Sequence, residues 1–269
     1  MGRMPLRPAP VTDAAAQEEL PRLAAELARC GCVAPREEAL ELLAASRGDA
    51  AALRELVTRR CTGEPLAWLV GSVGFCGHRL VVCPGVYVPR VQSEPLVREA
   101  IARLPRRGLA VDLCTGSGAV AAGLARERPE ARVLATEIDP VAAGCARANG
   151  VDVYVGDMAE PLPDELRGLV DVVTAVVPYV PTGELRLLAR DVLAFEPRRA
   201  LDGGADGAAL LGRAVVEAAG LLRRGGSLLL ELGADQGDLL RPLLARIGYY
   251  DVRIILDDEG DPRGLAARR

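Results

Sequence analysis

The residues with the clearest chemical meaning in this chain are an acid and two glycines in segment 111–118, whose sequence is VDLCTGSG. An apolar, strand-like run carries Asp112, and only glycine lets a backbone turn as tightly as Gly116 and Gly118 require and approach a bound nucleoside. The helix predicted to follow would offer free N–H groups in its first turn. A second apolar run ends on Glu137, 21 positions after Gly116, a spacing at which a carboxylate can accept hydrogen bonds from a ribose. Together these residues predict a cradle for a nucleoside cofactor.

Asp112 lies four residues before Gly116, and its position bears on which cofactor the turn would bind. A dinucleotide turn has a third glycine three positions after the second and leaves the pyrophosphate to the helix N-terminus, whereas this chain has Ala121 at that position. S-adenosyl-L-methionine has no phosphate and carries an ammonium group, which favours a nearby carboxylate. The segment therefore resembles the first motif of class I methyltransferases and predicts S-adenosyl-L-methionine as the cofactor; a dinucleotide-dependent enzyme is the alternative.

The composition restricts the class of protein. At 269 residues the chain can form one large domain with a small one, or two modest domains. Its formal net charge of −4 argues against a general nucleic-acid binder, which needs a basic surface. No signal-peptide pattern opens the chain, and no apolar run approaches the ~20 residues that span a bilayer. We therefore expect a cytoplasmic protein with no direct nucleic-acid partner and no membrane partner.

The cysteines and the single histidine do not form a recognisable ligand set. Seven cysteines are scattered without a Cys-x-x-Cys pair, and His78 is the only histidine. We therefore expect no metal site, and we expect the cysteines to be small apolar side chains that stay reduced in the cytosol.

The elements that must position the cradle begin with a helical region. Residues 1–12 are rich in Pro and Arg and are expected to be frayed, whereas leucines recur at helical spacing from Asp13 to about Arg60. Pro35 suits the first position of a second helix, and Asp49 can cap a third. This region predicts a small helical bundle without chemistry of its own.

The remainder of the chain shows strand patterns. Residues 68–82 alternate between polar and apolar and are broken by glycines, so they predict a β-hairpin that links the bundle to the cofactor domain. Beyond it, helix and strand patterns alternate, which predicts an α/β domain with a mainly parallel sheet. Ligands in such sheets bind at the carboxyl ends of the strands, where Asp112, Glu137 and Asp157 are expected. The predicted strands are 109–113, 132–137, 151–155, 170–176, 226–232, and two more near 250–257 and 264–268.

Several further motifs, read in order, resemble those of the HemK/PrmC family of protein-(glutamine-N5) methyltransferases over nearly the whole chain. The segments that carry the resemblance are 63–68, 74–77, 88–94, 195–207 and 230–237. The resemblance implies a class I methyltransferase fold, which is Rossmann-like with a mainly parallel seven-stranded sheet. It also implies a helical domain over residues 1–66, a β-hairpin linker over 67–92 and an S-adenosyl-L-methionine-binding domain over 93–269.

The resemblance also implies a site and a partner. The acceptor would be a glutamine carried by a peptide release factor or by another protein. The residues expected to bind the cofactor are Arg90, Asp112, Thr115, Gly116, Gly118, Glu137, Ile138, Asp157 and Met158.

This chain departs from the family at the motif that receives the substrate amide. The family has Asn-Pro-Pro-Tyr, in which the Asn side chain and a neighbouring main-chain carbonyl accept the two amide hydrogens, and this chain has valines at the first two positions. The matching residues with expected catalytic roles are Val176, Pro178 and Tyr179. Since Val176 has no acceptor, a bound amide would lose one hydrogen-bond partner, at a cost of about 1–3 kcal/mol.

The departure at Val176 leaves the acceptor open. One alternative is a tailoring enzyme of secondary metabolism that methylates a small molecule with a better nucleophile than an amide. Another is a cofactor-binding protein without transferase activity. Outside this motif, Arg90 could form a surface ion pair with Glu94 instead of lying near the cofactor, and Glu196 could simply brace its loop.

Overall fold

A computed structural model describes residues 14–233 and 236–269. The expectation of frayed residues 1–12 concerns a part of the chain outside these ranges. Within them, no helix is both long and apolar enough to cross a membrane.

The N-terminal part is the expected helical bundle. Leucines at helical spacing, among them Leu27 and Leu42, are fully buried and form its core. The second helix starts at Pro35, as its N1 preference predicts. Asp49 caps the third helix by accepting a hydrogen bond from the Ala51 N–H at 2.7 Å. The helices are α1 (Ala14–Arg29), α2 (Pro35–Ser46), α3 (Ala50–Cys61) and α4 (Leu66–Val70).

Helix α4 corrects the prediction of a strand starting at residue 68. Leu66, Leu69 and Val70 all pack on the helical core, and their i, i+3, i+4 spacing suits one face of a helix rather than a strand. The hairpin is therefore shorter than predicted and consists of β1 (Ser72–Phe75) and β2 (His78–Val81). The bundle core thus extends a few residues past the expected boundary at 66.

The expectation that all cysteines are unpaired is wrong for two of them. Cys30 and Cys61 form a disulfide, with their Cα atoms 5.2 Å apart. Cys30 follows the end of α1 and Cys61 ends α3, so the packing of these two helices brings the residues together. Their separation of 31 residues in sequence carries no sign of this proximity.

The second domain is built on one seven-stranded sheet in the order β5-β4-β3-β6-β7-β9-β8. The first five strands in this order are parallel, and β9 runs antiparallel to both of its neighbours. This confirms the predicted α/β fold with a mainly parallel sheet. The strands are β3 (Leu109–Leu113), β4 (Arg132–Glu137), β5 (Asp152–Val155), β6 (Val170–Ala175), β7 (Leu222–Glu231), β8 (Tyr250–Leu256) and β9 (Pro262–Arg268).

Helices cover both faces of this sheet. One apolar cluster joins the sheet to α5, α6 and α7, and the other joins it to α9 and α10. Because β3 and β6 lie in the middle of the sheet, their residues are almost entirely buried, as continuous apolar strands should be. The helices are α5 (Glu94–Arg103), α6 (Ala119–Glu127), α7 (Pro140–Ala148), α8 (Arg190–Phe195), α9 (Ala209–Leu221) and α10 (Gln236–Ile247).

Candidate functional site

The predicted cradle is the turn between β3 and α6, and it is held in place by Glu137 at the end of β4. The Gly116 N–H donates to Glu137 Oε2 at 2.8 Å, and the Asp139 N–H donates to Oε1 at 2.9 Å. Gly116 has a φ of +57°, and the space where its Cβ would stand is open. Each carboxylate oxygen of Glu137 keeps a further lone pair, so this group can still accept hydrogen bonds from two adjacent hydroxyls.

Asp112 lies beneath this turn. Its carboxylate is buried, and each oxygen accepts a hydroxyl hydrogen bond of 2.6 Å, Oδ2 from Thr115 and Oδ1 from Thr174. Burial raises the pKa of Asp112 to about 6, although the two hydroxyls favour its charged form. Asp112, Thr115 and Gly116 line a small cavity of about 50 Å³.

Gly118, which the sequence places among the cofactor-binding residues, lines neither this small cavity nor the larger one described next. Its φ is +83°, and a Cβ there would lie 2.9 Å from Val151 Cγ2 and 3.0 Å from Ala146 Cβ. The absence of a side chain therefore lets α6 begin close to α7.

A cavity of about 510 Å³ lies above the carboxyl ends of β3, β4 and β6. It adjoins the small cavity, since Cys114, Gly116 and Val176 border both. Nine of the residues predicted for the site line this one cavity: Arg90, Gly116, Glu137, Ile138, Asp157, Met158, Val176, Pro178 and Tyr179.

One end of this cavity, beside Glu137, combines apolar and charged groups. Ile138 exposes 59 % of its surface there, whereas Met158 is buried in the wall. Asp157 forms a salt bridge of 2.8 Å with Arg213 on α9, a partner that the sequence did not indicate. An exposed isoleucine beside a carboxylate offers a flat apolar surface with a hydrogen-bond acceptor at its edge.

Arg90 lies at the cavity, and its ionic partner differs from the predicted one. Its guanidinium contacts the buried Glu196 carboxylate and stacks over the Tyr87 ring, 5.0 Å from the ring centroid. Glu196 also accepts a hydrogen bond of 3.3 Å from the Val88 N–H, so it does brace its loop. The alternative pair of Arg90 with Glu94 is wrong, because that carboxylate accepts the backbone N–H of Cys76 instead.

Another part of the cavity wall is formed by the segment that follows β6. Val176 is half-buried and presents only methyl groups to both cavities, and Val177 is packed in the core. Val180 and Leu188 extend the same apolar wall. This part of the cavity wall therefore offers no side-chain acceptor at the first position of the motif.

Tyr179 ends the motif and reaches towards β7. Its hydroxyl donates to Glu231 Oε1 at 3.0 Å, and burial raises the pKa of Tyr179, with the Glu231 charge adding to the effect. The Tyr179 carbonyl accepts a hydrogen bond of 2.7 Å from Gln236 Nε2. The sequence did not single out Glu231, although it ends an apolar strand and so meets the same rule that identified Asp112 and Glu137.

Comparison with known proteins identifies relatives that align over most of the chain. No family model matches the chain. A release factor glutamine methyltransferase from Moorella thermoacetica is 40 % identical over 259 residues, which cover 91 % of this chain and 90 % of the relative. The enzyme of that name from Mycolicibacterium smegmatis is 40 % identical over 268 residues, covering 91 % and 94 %.

A relative with another named substrate matches a shorter part of the chain at a higher identity. The 4-amino-L-phenylalanine/4-methylamino-L-phenylalanine methyltransferase of Streptomyces pristinaespiralis is 44 % identical over 191 residues, which cover 67 % of this chain and 65 % of the relative. Among solved structures, a protein-(glutamine-N5) methyltransferase from Alicyclobacillus acidocaldarius aligns at 24 % identity with a TM-score of 0.43, covering 70 % of this chain and 98 % of that chain. The strand order described above, rather than this alignment, defines the fold.

Proposed function

This chain belongs to the release factor glutamine methyltransferase family, and we propose that it methylates an amine nitrogen of a small molecule, with S-adenosyl-L-methionine as the methyl donor. The observation that carries this choice of acceptor is Val176 at the position where the family has an amide-binding Asn. The proposal therefore keeps the methyltransferase chemistry of the family and changes its acceptor.

The cradle fits S-adenosyl-L-methionine. Glu137 would accept hydrogen bonds from the ribose hydroxyls, and the open space above Gly116 would let the cofactor approach the backbone closely. Asp112 would face the cofactor's ammonium group from below the turn, and Ile138 with Met158 would cover the adenine. When bound, the cofactor would supply an electrophilic methyl group: the methyl–sulfur bond breaks and leaves its electron pair on sulfur, a nitrogen lone pair forms the new bond, and the methylated ammonium loses a proton to water. The protein's own task is to align that nitrogen and to exclude water.

An amide is a poor acceptor for this cavity. Its nitrogen lone pair is delocalised, so both N–H groups need acceptors that hold the lone pair towards the methyl group. Val176 provides none, and an unsatisfied N–H costs about 1–3 kcal/mol.

An amine suits the same cavity better. Its lone pair is available without such polarisation, and the aliphatic wall of Val176, Val180 and Leu188 favours an apolar body for the molecule that carries it. The Streptomyces relative is named for two aromatic amines, which supports an arylamine as the first acceptor to test.

The test is a direct comparison of acceptors for the whole protein with radiolabelled S-adenosyl-L-methionine. We expect label transfer to 4-amino-L-phenylalanine or a related arylamine, and weak or no transfer to a peptide release factor. Efficient labelling of the release factor glutamine, with no labelling of amines, would refute the proposed acceptor.

The release factor is the second candidate partner, favoured by relatives that align over nine-tenths of this chain. Helix α8 lies against the helical bundle at Gly63 and lines the cavity with Val192, so a protein acceptor bound at the cavity would be close to the bundle. Binding of S-adenosylhomocysteine without transfer to either class of acceptor would instead favour a cofactor-binding protein without transferase activity.

A further inference from the structure

Arg199 and Asp139 form an ion pair between two walls of the larger cavity. Asp139 lies in the turn between β4 and α7, and Arg199 lies in the loop between α8 and α9. Backbone hydrogen bonds hold that loop to the segment after β6, since the Val180 N–H donates to the Leu201 carbonyl at 3.0 Å. Because β3 lies between β4 and β6 in the sheet, the ion pair spans the carboxyl end of β3, which the Gly116 turn follows.

The two partners differ in exposure, which places their contact at the rim of the cavity. The Arg199 side chain is 61 % exposed although it lines the cavity, whereas the Asp139 side chain is 8 % exposed. A side chain that borders both a cavity and solvent lies at the cavity's mouth. Asp139 Oδ1 also accepts the Val141 N–H at 3.0 Å, which fixes the carboxylate. The long arginine side chain, with its many rotamers, is therefore the partner that can move.

The ion pair lies beside the groups proposed to hold the adenosine part of the cofactor. The Asp139 N–H donates to Glu137 Oε1, and Ile138, between these two residues, exposes its side chain to the same cavity. The proposed ribose and adenine contacts are thus within two residues of the carboxylate that holds Arg199.

We infer that the pair of Arg199 with Asp139 is a strap that closes the mouth of the cavity over the cofactor and limits the rate of its exchange. The inference rests on the proposed S-adenosyl-L-methionine site. Entry and exit of the cofactor each require the pair to separate, whereas the proposed contacts of the bound cofactor are with Glu137 and the cradle. Loss of the strap should therefore raise the association and dissociation rates together and leave the affinity nearly unchanged.

Surface plasmon resonance with S-adenosylhomocysteine on the immobilised whole protein measures both rates without turnover. Arg199→Ala should raise each rate about two- to fivefold, the range expected for loss of a partly exposed ion pair. Asp139→Asn should do the same, because it keeps an acceptor for the Val141 N–H and removes the charge that holds the arginine. Combining the two substitutions should have no further effect, since both break one contact.

Arg198→Ala is the matched control. Arg198 is the neighbouring arginine and is 71 % exposed, but it pairs with Asp202 in its own loop at 2.9 Å and does not line the cavity. Its loss should leave both rates unchanged. Melting temperatures close to that of the wild type confirm that each variant is folded.

Salt provides a second test, because an exposed ion pair is screened as the ionic strength rises. Both wild-type rates should increase between about 0.05 M and about 0.5 M salt and approach those of Arg199→Ala. The rates of Arg199→Ala should change little over the same range.

Unchanged rates in Arg199→Ala, or equal increases in Arg199→Ala and Arg198→Ala, would overturn the inference. An increase in the dissociation rate alone would also overturn it, because Arg199 would then hold the cofactor by direct contact. No binding of S-adenosylhomocysteine to the wild type would overturn both the strap and the proposed function. Methylation of the release factor alone would contradict the proposed acceptor and leave the strap intact.

Discussion

The substitution Val176→Asn tests the interpretation of the acceptor cavity most directly. Val176 follows β6, is half-buried and lines both the larger cavity and the small cavity that adjoins it. Asparagine is similar in size, so the variant adds an amide oxygen to the cavity wall with little change in volume. That oxygen would supply the acceptor that a substrate amide lacks in the wild type.

The expected gain follows from the cost of the missing hydrogen bond. An unsatisfied N–H that raises the free energy of the transition state by about 1–3 kcal/mol corresponds to a rate loss of about 5- to 150-fold. Val176→Asn should recover a large part of this loss for a glutamine acceptor. Because the valine also packs against the core cluster under the cradle, the variant should lose about 1 kcal/mol of folding stability.

The assay compares initial rates of radiolabel transfer to a release factor with its Gly-Gly-Gln loop and to 4-amino-L-phenylalanine. Val176→Asn, alone and with Val177→Pro, should raise the first rate and lower or preserve the second. Val180→Asn is the matched control, since it makes the same chemical change elsewhere on the same wall. It should not raise the rate with the release factor.

Two results would refute this reasoning. Rapid methylation of the release factor by the wild type would mean that another group provides the missing acceptor. An equal gain in Val176→Asn and Val180→Asn would mean that polarity of the wall, and not the position of the oxygen, controls the rate.

Four further predictions test other parts of the structure. Glu137→Gln should weaken binding of S-adenosylhomocysteine about tenfold or more in calorimetry, because it replaces one acceptor with an NH₂ group; unchanged affinity would exclude Glu137 from the site. Burial raises the pKa of Asp112 to about 6, so the group neutralises as the pH falls; affinity for the ammonium-bearing cofactor should then fall below about pH 6, and Asp112→Asn should remove this dependence. Gly118→Ala should lower the free energy of unfolding by about 1–3 kcal/mol in urea titrations, since the new Cβ meets close neighbours at positive φ; a variant as stable as the wild type would contradict this. Cys30→Ser should cost about 2–4 kcal/mol of stability, and alkylation with mass spectrometry should leave Cys30 and Cys61 unmodified until a reductant is added.

The strands of the sheet could be predicted because their environment is uniform. β3 and β6 are buried on both faces, so their sequences are continuous apolar runs that end at polar or turn residues. The hairpin was less predictable, since a short apolar run such as 66–70 has the same composition in a strand or in one helical turn. Only the packing of Leu66 and Val70 on the bundle decides between them.

The position of the proposed cofactor contacts in the fold could also be predicted, because it depends on the ends of parallel strands. Glu137 ends β4 and Asp157 follows β5, so the sequence alone puts them at one edge of the sheet. Two side-chain contacts could not be predicted from the sequence, those of Arg213 with Asp157 and of Tyr179 with Glu231. Each joins segments more than fifty residues apart, and only the folded side-chain geometry brings them together. The Cys30–Cys61 disulfide was also unpredictable, because only the packing of α1 and α3 brings these two cysteines, 31 residues apart in sequence, together.

The two halves of the site differ in how freely their residues can change. Glu137 supports the backbone of the cradle, so a substitution there affects both the turn and the proposed cofactor contact. Val176 accepts and donates no side-chain hydrogen bond, and a change there leaves the cradle's hydrogen bonds intact. The proposed change of acceptor from an amide to an amine would therefore require a substitution at Val176 and none in the cradle, so the proposed cofactor contacts could stay as they are while the acceptor changes.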